Sequence, residues 1–305
     1  MDKIAFVFSG QGAQHTGMGK EIYDLYPVAK DVFDRLDAIR PGTSDECFTG
    51  SEELLMRTEN TQPDMYALET AIAEVLKSKG ICPDAAAGFS LGEISALAES
   101  GAVSIEDGFK LVTERGKFMQ QAADKVTAAM TAVVKLTPEK VEELASGFEH
   151  VFPVNYNSPG QVVVSGLVEE IVPFEAKVKE AGGRAIRLKV AGAYHSPFMA
   201  EAAASFGKTL ENYEISEPAL PLYSNYTAKP YQGQMKEILS KQIESPVRWE
   251  MIVRNMIAEG INVFIEIGPG ETLCNLIKKT AKDVRCYSAQ NAKGLETILQ
   301  EVKVC

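Results

Sequence analysis

The sequence predicts an α/β protein in which a large domain built on a parallel β-sheet carries a small inserted subdomain. Two observations lead to this prediction. Short apolar strands, each followed by a helix, occur near both ends of the chain and in its first third. The segment from residue 127 to residue 190 instead contains a hairpin signal between two helices. With 305 residues, 45% of them hydrophobic, the chain can bury the core that this architecture needs.

The large domain is predicted from three strand–helix units. They are a strand over 4–8, a glycine-rich turn over 9–14 and a helix over 19–26; a strand over 85–90 and a helix from Leu91; and a strand over 262–267, a Gly-Pro-Gly turn and a helix over 272–279. Continuous apolar strands joined to helices are typical of a parallel sheet that is covered on both faces. We therefore assign residues 1–126 and 191–305 to one domain.

The middle of the chain predicts a different sheet. Its elements are a strand over 129–136, a helix over 137–148, strands over 152–156 and 162–165 around the turn Asn-Ser-Pro-Gly, a helix over 168–181 and a strand over 185–190. Thr137 and Pro138 are an N-cap and first-turn pair at the start of the first helix. The order β-α-β-β-α-β is the ferredoxin-like pattern, so we expect a ferredoxin-like subdomain over 127–190.

Charge and cysteine usage exclude several classes of protein. Lys and Arg number 31 and Asp and Glu 42, a formal net charge of −11, and no basic run compensates locally, so nucleic acid is not an expected partner. Five scattered cysteines without a CxxC pair, Cys305 among them, predict reduced thiols rather than a disulfide framework or a zinc site. The apolar run at 4–8 is too short for a signal peptide or a membrane span, so we expect a cytoplasmic protein.

The strongest local motif is Gly88-Phe-Ser-Leu-Gly92, a GxSxG between an apolar strand and a helix. Glycines at these positions permit the tight turn that lifts a serine hydroxyl above the edge of an α/β-hydrolase-like sheet. The helix N-terminus behind Ser90 would offer amide groups to a developing oxyanion. The motif therefore predicts a serine nucleophile, and the alternative is a glycine-rich turn that only caps a helix.

The turn Gly10-Gln11-Gly12 after the first strand has three interpretations. It is a truncated dinucleotide fingerprint, but His15 stands where GxGxxG needs its third glycine. It is a second source of amide groups for an oxyanion at the same sheet edge, the interpretation we prefer. The third interpretation is a tight turn without a chemical role.

Arg115 is predicted to be a buried cation. On an ideal helix over 105–122 it falls in the middle of the apolar arc, between the directions of Gly108 and Ala122. A buried guanidinium requires an anion, and its fork matches a carboxylate. The partner is either a structural Asp or Glu or the carboxylate of a ligand, for which the small neighbours Gly108, Gly116 and Ala122 are expected to leave room.

His195 is the preferred histidine of the three in the chain. It precedes Ser196 and Pro197, which we interpret as the N-cap and first residue of a helix. A helix N-terminus disfavours the imidazolium, so His195 should stay neutral and accept a proton. His15 and His150 are rivals, and a purely structural histidine is the alternative. No spacing of His, Cys or carboxylate residues predicts a metal site.

Eight ordered segments resemble the malonyl-CoA:acyl carrier protein transacylases, the acyltransferase family of fatty acid and polyketide synthesis. They are FVFSGQGAQ (6–14), GFSLGE (88–93), RGKFMQ (115–120), NYNSPGQ (155–161), AYHSP (193–197), YSNYT (223–227), KQIESPVRW (241–249) and EIGPG (266–270). The resemblance covers essentially the whole chain. It departs from the family where Phe89 replaces the usual histidine before the nucleophile and Ser9 replaces a proline.

The resemblance implies a role for each residue of a site. Ser90 would be the acylated nucleophile and His195 its general base, with the backbone amides of Gln11 and Leu91 as the oxyanion hole. Arg115 would bind the malonyl carboxylate. These roles imply a transferase that takes malonyl-CoA and acyl carrier protein as its partners.

The resemblance further implies that the main-chain carbonyl of Gln242 would orient His195. It implies a monomer, with the CoA thioester as substrate and no further cofactor. The alternatives are an acyltransferase of a polyketide pathway, a serine thioesterase or esterase, and a non-catalytic scaffold that binds a carrier protein.

Overall fold

Two separate β-sheets organise the chain. The computed structural model describes residues 2–190 and 192–302, so Cys305 lies outside the described residues. The strands are β1 (Ile4–Phe8), β2 (Ala85–Gly88), β3 (Ala128–Val134), β4 (Val151–Ser158), β5 (Gln161–Leu167), β6 (Arg184–Arg187), β7 (Leu222–Tyr223), β8 (Val263–Ile267) and β9 (Arg285–Ser288).

Helices cover and connect these sheets. They are α1 (Lys20–Leu25), α2 (Pro27–Asp37), α3 (Thr43–Thr49), α4 (Glu52–Met56), α5 (Thr58–Ser78), α6 (Gly92–Glu99), α7 (Ile105–Ala123), α8 (Pro138–Ala145), α9 (Val168–Glu180), α10 (Ala200–Leu210), α11 (Met235–Gln242), α12 (Trp249–Ala258), α13 (Thr272–Thr280) and α14 (Ala292–Glu301). A short 3₁₀ turn, Pro197–Met199, precedes α10.

The large sheet has the strand order β7-β2-β1-β8-β9, and every pair in it is parallel. β1, β2 and β8 are buried along their whole length because helices pack on both faces, as the apolar runs predict. The two edge strands were not predicted, since β7 has only two residues and β9 starts at an exposed arginine. The carboxyl ends of β1, β2 and β8 meet at one edge, where a site of an α/β sheet is expected.

The second sheet is antiparallel, with the order β4-β5-β3-β6. This order, with α8 and α9 as crossovers, is the predicted ferredoxin-like pattern. Thr137 caps α8 by accepting from the amide of Lys140. The hairpin is tighter than predicted, because β4 continues to Ser158 and only Pro159 and Gly160 form the turn. The fold class is confirmed, and the domain limits at 126/127 and 190/191 stay a prediction.

The turn between β2 and α6 tolerates only glycine at two positions. A Cβ on Gly88 would lie 1.8 Å from the carbonyl carbon of Gly92, and one on Gly92 would lie 2.5 Å from the carbonyl oxygen of Phe8. α6 can therefore approach β2 at Gly88 and β1 at Gly92 this closely only without side chains at these positions.

We expect Gly88→Ala to lower the free energy of unfolding by about 3 kcal/mol or more, because backbone atoms must move to admit the methyl group. The measurement is urea unfolding. Gly147→Ala is the matched control, since its Cβ would have no neighbour closer than 3.5 Å. Equal stability of both variants would contradict the account of this turn.

Candidate active site

Ser90 lies at the carboxyl end of β2 in a left-handed backbone conformation, with φ of 56°. Such a conformation is strained for a serine and requires support from its surroundings. Asn225 supplies this support: its Oδ1 accepts from the amide of Ser90 at 2.7 Å and its Nδ2 donates to the carbonyl of Gly88 at 2.6 Å. Sequence reasoning missed Asn225, although it lies in one of the eight family segments.

His195 lies next to Ser90 although 105 residues separate them. Its Nε2 is 2.7 Å from Ser90 Oγ, and its Nδ1 is 3.0 Å from the carbonyl oxygen of Gln242. A carbonyl can only accept, so Nδ1 carries the proton and Nε2 is the acceptor of the serine hydroxyl. This is the arrangement of a serine nucleophile and its base.

The pKa of His195 is lowered from 6.5 to about 4, first by burial and then by the positive charge of Arg115. The predicted direction is therefore correct, but the main cause is burial, which was not predicted. Ser196 and Pro197 do begin a helical turn, but the hydroxyl of Ser196 donates to the carbonyl of Ala193 instead of capping it, and this three-residue 3₁₀ turn separates His195 from α10. Desolvation disfavours the imidazolium more strongly here than a helix end would.

We expect the ring of His195 to titrate with a midpoint near 4 in NMR spectra of the protein. In Arg115→Ala the midpoint should rise, because a positive charge that disfavours the imidazolium is removed. His150 is an internal control: its ring bonds to Glu170, which raises its pKa, and its midpoint should not move. An unchanged midpoint for His195 would contradict the assigned cause.

Arg115 is completely buried, as the helical wheel predicts. Its Nη1 donates to Gln62 Oε1 at 2.8 Å, and its Nη2 donates to Gln242 Oε1 at 2.8 Å and to Ser90 Oγ at 3.2 Å. Its Nε–H has no partner, and no carboxylate within the described ranges forms an ion pair with it. Burial lowers its pKa to about 10, which leaves it charged at neutral pH. A buried cation held only by neutral oxygens can receive an anionic ligand.

The glycines beside Arg115 do not leave room for a ligand, so this expectation was wrong. A Cβ on Gly108 would lie 2.2 Å from the hydroxyl of Tyr66, and one on Gly116 would lie 2.9 Å from the carbonyl of Thr58. Tyr66 and Thr58 belong to α5, which packs directly against α7. The helical wheel gave the direction of these residues but not the helix that fills the space.

Gln242 is buried at the end of α11 and contacts Ser90, His195 and Arg115. Its carbonyl holds His195, as the resemblance implies. Its side chain, to which no role was assigned, accepts from Arg115 and donates to the carbonyl of Ser90 at 2.8 Å and to Glu93 Oε2 at 3.0 Å. The sequence alone predicts a solvated helix residue at this position.

Gln11 follows β1 by three residues and Leu91 directly follows Ser90, and because β1 and β2 are parallel neighbours, both amides lie at the carboxyl edge of the large sheet. Neither donates a hydrogen bond to another group in the described parts of the chain. A cavity of about 300 Å³ opens beside Gln11 and Phe89, between the two sheets, with Lys189 in its wall. Phe89 packs against the ring of Trp249, with 5.7 Å between centroids.

The remaining candidates lie elsewhere. His15 is exposed, with its ring next to the carbonyl of Ala13, and His150 directly precedes β4 of the small sheet. In residues 2–190 and 192–302, no three His, Cys, Asp or Glu side chains are arranged to hold a metal ion. Over the same residues, the helices are all too short or too polar to cross a membrane.

Comparison with known proteins places this geometry among acyltransferases. The model of the acyl transferase domain family matches residues 5–300. The malonyl CoA-acyl carrier protein transacylase of Bacillus subtilis is 38% identical, over 99% of this chain and 98% of its own length. The protein of the same name from Haemophilus influenzae is 36% identical over 98% of each chain.

Solved structures agree with the sequence comparison. The malonyl CoA-acyl carrier protein transacylase of Clostridium perfringens superimposes with a TM-score of 0.95 at 38% identity, over 98% of this chain and 97% of that one. A malonyl-transacylase in complex with a type II polyketide synthase acyl-carrier protein superimposes with a TM-score of 0.93 at 34% identity, over 98% of this chain and 99% of that one.

Proposed function

Because this chain belongs to the acyl transferase domain family, with full-length relatives that are malonyl CoA-acyl carrier protein transacylases, we propose that it carries out the same transfer. It moves a malonyl group from malonyl-CoA to the phosphopantetheine thiol of an acyl carrier protein, as a step of fatty acid biosynthesis. The observation that carries the proposal is the buried guanidinium of Arg115, 3.2 Å from the hydroxyl of Ser90 and with no carboxylate of the described residues in direct contact with it.

In the first half-reaction, Ser90 Oγ attacks the thioester carbon while its proton passes to His195 Nε2. The oxygen of the tetrahedral intermediate accepts from the amides of Gln11 and Leu91. The bond to sulfur then breaks, and the CoA thiolate takes the proton from His195. The product of this step is a malonyl-serine ester.

In the second half-reaction, the pantetheine thiol of the carrier protein gives its proton to His195 and attacks the ester. The second intermediate collapses, the bond to Ser90 Oγ breaks, and the serine regains its proton. Every proton moves between Ser90, His195 and a thiol, so the proposed reaction needs neither a metal nor a further cofactor. The cavity beside Gln11 and Phe89 would admit the pantetheine arm.

Arg115 gives the transfer its selectivity. Its guanidinium pairs with the malonyl carboxylate, whereas an acetyl group would leave the buried charge without an anion. Ser90, His195, Arg115 and Gln242 all come from one chain. We therefore propose that the protein acts as a monomer, and that it works in the cytoplasm, where reduced thiols such as those of Cys47 and Cys274 persist.

The test is to incubate the protein with malonyl-CoA, with and without a carrier protein that bears its phosphopantetheine, and to measure free CoA and malonylated carrier. Transfer predicts one equivalent of CoA without the carrier and continuous release with it. Continuous release without the carrier would instead identify a thioesterase, the alternative that shares the serine and histidine. No release under either condition would favour a scaffold that only binds the carrier.

A further inference from the structure

Glu93 is a buried carboxylate on α6 to which the proposed mechanism gives no role. Its side chain is completely buried. Oε2 accepts from the amide of Asn225 at 3.1 Å and from Gln242 Nε2 at 3.0 Å, and Oε1 accepts from the hydroxyl of Tyr231. All three partners are neutral donors, so none of them balances a negative charge.

Arg115 is the cation that faces Glu93, and the side-chain amide of Gln242 lies between them. Gln242 connects the two: its Oε1 accepts from Arg115 at 2.8 Å and its Nε2 donates to Glu93 at 3.0 Å. Both charged side chains are fully shielded from water, where electrostatic interactions are strongest. The other titratable groups that face this cluster are Tyr231, whose pKa burial raises well above 10, and His195 behind Gln242, so both are neutral near pH 7.

We propose that Glu93 is the counter-charge of Arg115 and that its protonation state sets how strongly the site prefers an acyl group with a carboxylate. This inference rests on the proposed function. With Glu93 ionised, the empty site is neutral, and a malonyl carboxylate adds a second negative charge to one positive charge. With Glu93 protonated, the positive charge of Arg115 is available to the malonyl carboxylate alone, and a neutral acetyl group leaves it unbalanced.

Malonyl binding and proton uptake by Glu93 are therefore linked. Burial raises the pKa of Glu93 to about 7, so the linkage acts in the neutral range. Below this pH Glu93 is protonated and the preference for malonyl over acetyl is high. Above it Glu93 is ionised and the preference falls.

The experiment measures kcat/KM for malonyl-CoA and acetyl-CoA, from about pH 6 to about pH 8, on wild type and on Glu93→Gln. The glutamine keeps the shape and the hydrogen bonds, because its oxygen accepts from Asn225 and Gln242 and its amino group donates to Tyr231. We expect the malonyl-to-acetyl ratio of wild type to fall about tenfold across this range, as for groups coupled through one hydrogen-bond network. The ratio of Glu93→Gln should stay high and independent of pH.

Glu69→Gln is the matched control. Glu69 is equally buried beside α6, but it accepts from Ser95 Oγ at 2.5 Å rather than from Gln242, so its substitution leaves the Glu93–Gln242–Arg115 connection intact. The malonyl-to-acetyl ratio of Glu69→Gln should depend on pH in the same way as that of wild type. Tyr231→Phe provides a second test, because loss of a donor to the carboxylate raises the pKa of Glu93 and should move the midpoint of the ratio to higher pH.

A wild-type ratio that does not change with pH, or a Glu93→Gln ratio that changes as in wild type, would overturn the inference. If thermal unfolding shows that Glu93→Gln is not folded, Tyr231→Phe provides the test. A malonyl-to-acetyl ratio whose midpoint on the pH scale is the same in Tyr231→Phe as in wild type would then overturn the inference. The proposed function fails separately, if wild type and Glu69→Gln transfer no malonyl group at any pH.

Discussion

Replacing Arg115 by alanine should lower kcat/KM for malonyl transfer by about 10²–10³-fold, because losing one partner of a buried charge pair costs about 2–5 kcal/mol. Transfer from acetyl-CoA should be affected far less, since an acetyl group makes no ion pair with the guanidinium. The measurement is the transfer rate with each donor at several concentrations. The loss for malonyl-CoA should appear in both kcat and KM, because Arg115 Nη2 also contacts Ser90 Oγ at 3.2 Å.

Arg254→Ala is the control for this prediction. Arg254 pairs with Glu250 on the exposed face of α12, where an ion pair contributes little. Its removal should leave the malonyl-to-acetyl ratio unchanged. Equal losses for the two donors in Arg115→Ala would show that Arg115 supports the fold of the site rather than its selectivity.

The largest effect is expected at Ser90 and His195, which act as one unit. Ser90→Ala should reduce transfer on the order of 10⁶-fold, and His195→Ala by a similar factor, as for other serine–histidine pairs. The double variant should be no slower than the slower single variant, because either substitution already removes the activated nucleophile. Transfer rates of the three variants, measured with malonyl-CoA and a carrier protein, test this non-additivity.

Ser100→Ala is the matched control, because Ser100 directly follows α6, the helix that begins next to Ser90. Ser100 is buried and donates to the carbonyl of Leu97 at 2.8 Å, away from the reacting groups. Its transfer rate should stay close to that of wild type. Rates that multiply in the double variant would mean that Ser90 and His195 contribute independently, contrary to the proposed proton transfer between them.

Two features of the fold that local patterns determine were predicted correctly. The strand–turn–helix at Ser90 follows from glycines whose absent side chains let β2 and α6 meet. The burial of Arg115 follows from its place on the apolar arc of α7. Both features depend on residues within one or two helical turns, and the sequence shows these neighbours directly.

Features that depend on distant contacts could not be read from these patterns. Nothing in the spacing of Ser90 and His195 brings them within 2.7 Å, and only the resemblance paired them before the structure. The side chains of Gln62 and Asn225 bond to residues far away along the chain, and neither type of residue signals this in sequence. The misplaced expectation of space beside Gly116 arose because a helical wheel does not show what packs against it.

Glu93 shows where a signal was present but not used. It follows directly on the GxSxG motif, inside the first turn of α6, where an acidic residue is ordinarily interpreted as an exposed partner of the helix dipole. In the structure it is wholly buried and faces Arg115 through Gln242. A carboxylate and an arginine that are both on apolar helix faces are candidates for one shared buried site.

The central claim is that Ser90 carries the malonyl group between the two thiols, and the mass of the intact protein tests it most directly. After mixing with malonyl-CoA, the protein should gain the mass of one malonyl group, and peptide analysis should place it on Ser90. Adding a carrier protein with its phosphopantetheine should return the mass to its starting value while the carrier gains the group. An unchanged mass under conditions in which the carrier becomes malonylated, or an adduct on another residue, would contradict the account.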